Sequence, residues 1–70
     1  METAEYRVIG MTCAHCERAV AAEVDQIPGI TVTEVSAPTG RLRVISETAV
    51  EDARVLAAVD EAGYEAVRVQ

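Results

Sequence analysis

Seventy residues carry six arginines, no lysine and twelve acids, for a net charge of −6. That sign excludes a phosphate-contacting nucleic-acid binder, whose affinity rests on cationic side chains, and is repelled by an anionic membrane surface. A chain this short buries only about 60 % of its unfolded surface, and without Phe or Trp it cannot wall off an ordinary enzyme pocket, so the expectation is one domain, residues 1–70, with a site on its surface.

Tyr6 to Ile9 reads as a strand, with Tyr6 and Val8 on one side and Arg7 on the other, stopped by Gly10. From Ala14 to Ile27 the apolar spacing turns helical. Cys16, Ala19, Val20, Val24 and Ile27 form the inner stripe, and Glu17, Arg18, Glu23 and Asp25 are expected to stay in water. Pro28-Gly29 ends this helix. Ile30 to Ala37 is rich in Ile, Thr and Val and reads as a second strand. Pro38-Thr39-Gly40 fits a tight turn, and Leu42 and Val44 alternate with Arg41 and Arg43 in a third strand, so the two should pair as an antiparallel hairpin.

Ala49 to Ala62 is helical again through Val55, Leu56, Val59 and Ala62, with Glu51 and Asp52 in the first turn, where they complement the helix dipole. Glu51, Asp52, Asp60 and Glu61 are read as its wet side. Gly63 ends the helix, and Tyr64 to Val69 gives a last strand with Val67 and Val69 in step. Strand–helix–strand crossovers are right-handed, so the order βαββαβ lays two helices on one face of a four-stranded antiparallel sheet. The expected class is α+β, a ferredoxin-like sandwich.

Met-Glu-Thr-Ala-Glu opens acidic, and no apolar run approaches the roughly 20 residues that cross a bilayer. A cytoplasmic protein with no direct membrane insertion is the expectation. In that reducing compartment two close cysteines read as metal-binding or redox-active rather than as a structural disulfide.

The informative segment is Gly10-Met11-Thr12-Cys13-Ala14-His15-Cys16 at the first strand–helix junction. A cysteine on the loop and another on the opening helical turn can converge, and orphan N–H groups with the helix dipole favour a thiolate there. At least one cysteine is therefore expected to titrate well below the free value of about 8.5. Soft thiolates suit Cu(I), which accepts two ligands, whereas structural zinc closes a tetrahedron of four. Two cysteines and one histidine leave zinc a ligand short.

Gly10 through Cys16 resembles the signature of the heavy-metal-associated domain, shared by copper chaperones and by the metal-binding modules of heavy-metal P-type ATPases. The element order, Pro28-Gly29-Ile30 and Ala62-Gly63-Tyr64 also match, so the likeness covers essentially the whole chain. It implies Cys13 and Cys16 as metal ligands, Met11 as a buried prop for the loop, and Tyr64 near the metal. His15 between the cysteines resembles free-standing bacterial copper chaperones. Thr12 stands where zinc and cadmium pumps usually carry Asp. Thr33 departs from the family, which sets an aliphatic core residue there, and is expected to weaken packing.

For the side chains around the pair, the plainer roles are weighed beside the functional ones. Met11 offers a thioether but reads first as packing. His15 is expected to point outward, with an influence on proton balance or ligation inside a dimer as its role, and Tyr64 either donates toward a sulfur or caps the core. Arg18 reads first as a solvated side chain.

The function so implied is a Cu(I) carrier that passes its ion by ligand exchange. Cys13 on the loop is the sulfur expected to move and Cys16 the anchored one. The resemblance makes a copper-transporting P-type ATPase the recipient and a copper-responsive repressor a second candidate, with the chain monomeric when apo and open to a copper-linked dimer. An excised ATPase module is the alternative. A thiol–disulfide oxidoreductase is a third, disfavoured by the short chain and by the lack of proline between or beside the cysteines.

Overall fold

In the computed structural model, which describes residues 1–69, six elements follow in the expected order. They are β1 (Glu2–Ile9), α1 (Ala14–Asp25), β2 (Ile30–Ser36), β3 (Arg41–Ser46), α2 (Asp52–Glu61) and β4 (Glu65–Arg68). Gln70, the last residue of the expected domain, lies outside the described residues. The strands form one antiparallel sheet in the order β2-β3-β1-β4. Its inner face contributes Ala4, Tyr6, Val8, Leu42 and Val44 to the core, closed by Val20 and Val24 of α1 and Val55 and Val59 of α2. This is the βαββαβ sandwich, with both helices on the face that buries the apolar residues.

Several boundaries move, each for a tertiary reason. β1 begins at Glu2 rather than Tyr6, because Glu2 to Arg7 pair residue by residue with Ser46 to Arg41 of β3. Only Ala4 in that early stretch faces the core, so a short apolar pattern understates the ladder. α1 stops at Asp25, and Ile27 is left in the following turn, where its N–H reaches Val24 O at 3.1 Å. α2 starts at Asp52 with Glu51 as its N-cap, leaving Ala49 and Val50 in the connection. β4 is short, and Ala66 is its inward residue; Val67 and Val69 lie 44 % and 47 % exposed.

Three side chains depart from their expected roles. Thr33 is exposed at a bulge where the β2–β3 register slips between Val32 and Glu34, and its hydroxyl donates to Arg43 O at 3.1 Å. No core position is filled by it, so it does not weaken packing. Glu17, expected in water, is half-buried and accepts the Ala37 N–H at 2.6 Å. Asp52 accepts the hydroxyl of the fully buried Tyr6 at 2.8 Å and is paired with Arg68, whose guanidinium lies over the Tyr6 ring.

The turn before β3 is fitted against β1. Gly40 O accepts the Val8 N–H at 2.6 Å, and a Cβ on Gly40 would lie 2.9 Å from Val8 O, at a φ of +70°. Backbone approaches backbone here only because the residue has no side chain. That contact, together with the Glu17–Ala37 bond, ties residues on both sides of the Gly10–Cys16 segment to one turn.

Candidate metal centre

Val8 packs into the core and Gly10, at φ +99°, turns the chain out of the sheet. Gly10 also lies under the ring of Tyr64, whose Cδ1 would be 3.4 Å from a Cβ at that position. Met11 is buried at 8 % exposure and joins the core cluster. An apolar anchor thus fixes the loop just before the cysteines, the packing role expected of Met11.

Cys13 is the N-cap of α1, in extended conformation and exposed; Cys16 is on the first turn and buried. The chain enters the helix through backbone bonds alone, since Cys13 O accepts the N–H groups of Cys16 and Glu17 at 3.1 and 3.2 Å with no side-chain cap. Both thiols are free, and their sulfurs stand 3.7 Å apart. The convergence expected from the spacing is met: one sulfur is open to solvent and the other is anchored.

The Cys16 thiol is pulled down to about 6. The largest cause is the backbone N–H of Thr12, followed by the Tyr64 hydroxyl and the Thr12 hydroxyl, with the Cys13 backbone adding a smaller part and burial opposing them. Thr12 Oγ1 lies 3.7 Å from the sulfur. Tyr64 answers in kind, its own pKa raised first by the hydrogen bond to Cys16 and then by burial. A depressed thiol was expected, but from the orphan amides and dipole of the helix. The donor that leads is instead the residue before Cys13, folded back over the sulfur. All of the groups holding this thiolate are neutral.

Met11, Thr12, Cys13, Cys16 and Tyr64 thus come together at one end of the sandwich. His15 is exposed on the outer side of the helical turn. Among the described residues, no group of three or more His, Cys, Asp or Glu side chains converges. The donor set that the geometry offers is two soft sulfurs, which fits a two-coordinate soft monovalent ion and lacks the four ligands of a closed zinc site. Sequence reasoning missed Glu17 as part of this neighbourhood, although its place four residues after Cys13 put it one helical turn below that sulfur.

Residues 5–65 match the family profile of the heavy-metal-associated domain. The chain is 36 % identical over 61 residues to copper-transporting ATPase 1 of Rhizobium meliloti strain 1021, covering 87 % of this chain and 7 % of that protein. It is 33 % identical over 61 residues to the copper chaperone CopZ of Staphylococcus aureus strain bovine RF122 / ET3-1, covering 86 % of this chain and 90 % of that one. Among solved structures, the N-terminal domain of ZntA in its Zn(II) form superposes with a TM-score of 0.85 at 32 % identity, over 97 % of this chain and 92 % of that one. The match therefore spans a small part of the pump and nearly all of the chaperone.

Proposed function

The chain belongs to the heavy-metal-associated domain family, and on that premise we propose that it is a cytoplasmic carrier for one Cu(I) ion, held between Cys13 and Cys16. The observation that carries this reading is the pair of free sulfurs 3.7 Å apart, one of them a thiolate near neutral pH, with no third acidic, thiol or imidazole donor converging on them among the described residues. Residues 1–70 act as one metal-binding domain. The role is delivery rather than catalysis, and the likeness to CopZ over nearly its whole length supports a carrier.

The recipient is a metal-binding domain of a copper-transporting P-type ATPase, a reading supported by the likeness to such a pump. Transfer proceeds by ligand exchange. A thiolate of the partner forms a bond to the ion, and the Cys13 sulfur, on the exposed side of the loop, gives up its own. A two-coordinate ion can be attacked before any bond is lost, so tight binding and fast exchange coexist. Cys16, held by Thr12 and Tyr64, lets go last. A module within such a pump is the second reading, and the same chemistry serves it.

Titration with Cu(I) against a chromogenic chelator, under reductant, tests the site. The expected result is one ion per chain, lost in Cys13→Ser and in Cys16→Ser. Tighter binding of zinc than of Cu(I) would contradict it.

A further inference from the structure

The carboxylate that follows the cysteine pair directly in sequence is not free. Glu17 follows Cys16 directly and its backbone N–H donates to Cys13 O at 3.2 Å, so it stands one turn below the loop sulfur. Side chains on a helix lean toward its N-terminus, onto the residue four positions earlier. An unrestrained Glu17 would therefore lean toward Cys13, bringing a hard oxygen to the place where two soft sulfurs meet. It does not do so here. Its Oε2 accepts the N–H of Ala37 at 2.6 Å, across to the end of β2, in a half-buried setting. The turn that supplies this donor is itself anchored, since three residues on Gly40 O takes the Val8 N–H at 2.6 Å and Gly40 N reaches Ser36 O at 2.8 Å.

We propose that the Ala37–Glu17 hydrogen bond withholds this carboxylate from the metal, making the β2–β3 turn a selectivity element of the site. The inference rests on Cys13 and Cys16 being the metal ligands. With the carboxylate tied away, the ion meets sulfur alone, a set that favours Cu(I). With it released, the site gains an oxygen donor of the kind zinc accepts beside sulfur. Glu17 is thus a positioning residue whose effect is on which ion is held, and the donor that controls it lies 20 residues away in the chain.

The probes are Zn(II) and Cu(I) themselves, each titrated against a chelator under reductant. Ala37→Pro removes the N–H and frees the carboxylate, while Glu17→Gln keeps an acceptor for Ala37 but supplies no anionic ligand. Ala37→Pro should tighten Zn(II) binding by about tenfold or more, the scale on which supporting hydrogen bonds act on metal sites, with Cu(I) binding changed far less. Adding Glu17→Gln to Ala37→Pro should cancel the gain. Zinc affinity in Ala37→Pro within about threefold of wild type, or a gain that survives Glu17→Gln, would overturn the proposal. Should Ala37→Pro fail to fold, amide exchange on the wild-type chain decides: the Ala37 amide should be protected both apo and with Cu(I), and free exchange overturns the lock. A wild-type chain that binds no Cu(I) through its two cysteines would remove the carrier reading and this proposal together. Intact Cu(I) binding with an unmoved zinc affinity in Ala37→Pro removes the proposal alone.

Discussion

The chain contains two tyrosines, and each donates its hydroxyl toward an anion, with opposite consequences. Tyr6 is fully buried and donates to Asp52, which also pairs with Arg68. Burial first, then the bond to Asp52, push Tyr6 up to about 12. The Asp52 carboxyl is held below its usual range, first by Tyr6 and then by Arg68. Charge meets charge there, and the cluster ties β1, α2 and β4 into one body. Tyr64 donates toward Cys16, whose other supports are the N–H and hydroxyl of Thr12. Those groups are dipoles, not cations. They stabilise the thiolate without neutralising it, so its charge remains available to a metal cation. A paired anion builds the fold; an anion held only by neutral donors builds a site.

Removing each hydroxyl in turn separates these roles. Tyr6→Phe should cost the fold about 1.5 kcal/mol in a denaturant titration, the low end for a bond to a charged group because Arg68 still partners Asp52. Its effect on the reactivity of Cys16 should be negligible. A Tyr6→Phe chain of unchanged stability, or one with an altered thiol titration, would break the contrast. Tyr64→Phe should do the reverse. It keeps the ring over Gly10 and shifts the Cys16 titration upward because one donor to the thiolate is gone, so stability falls only where the thiolate forms, above about pH 6, and the unfolding midpoint below that pH stays nearly unmoved. If only the unfolding midpoint moved, Tyr64 would be a core residue and nothing more.

The difference between the two ends also bears on what could be read in the sequence. The switch of apolar spacing from two to helical and back placed all six elements, and the Cys-x-x-Cys spacing with its Met-Thr lead located the site. Those are local signals. What stayed hidden lies between elements. Asp52 and Glu17 are charged residues on helix surfaces, and their own periodicity marks them as wet. Asp52 is claimed by Tyr6 and Arg68, 46 and 16 residues away, and Glu17 by Ala37, 20 residues away. Thr33 reads as a gap in the core only through the family resemblance, which sets an aliphatic residue there. The bulge at Val32/Glu34 turns it outward, and no local pattern announces a bulge. Helix ends were overrun at both helices, since apolar residues such as Ile27 and Val50 pack on the core from the connecting turns.

The central claim is that neutral donors hold Cys16 as a thiolate before any metal arrives. Linkage fixes its sign. A folded value of about 6 against an ordinary value of 9.0 means that the thiolate's contribution to stability is complete above pH 9.0, shrinks as pH falls, and is gone below about 6. The direct measurement is the rate of alkylation of Cys16 against pH in the apo chain, read residue by residue by mass spectrometry. The account predicts a midpoint near pH 6 for Cys16, moved upward in Tyr64→Phe. A midpoint in the ordinary thiol range, unmoved by Tyr64→Phe, would contradict it.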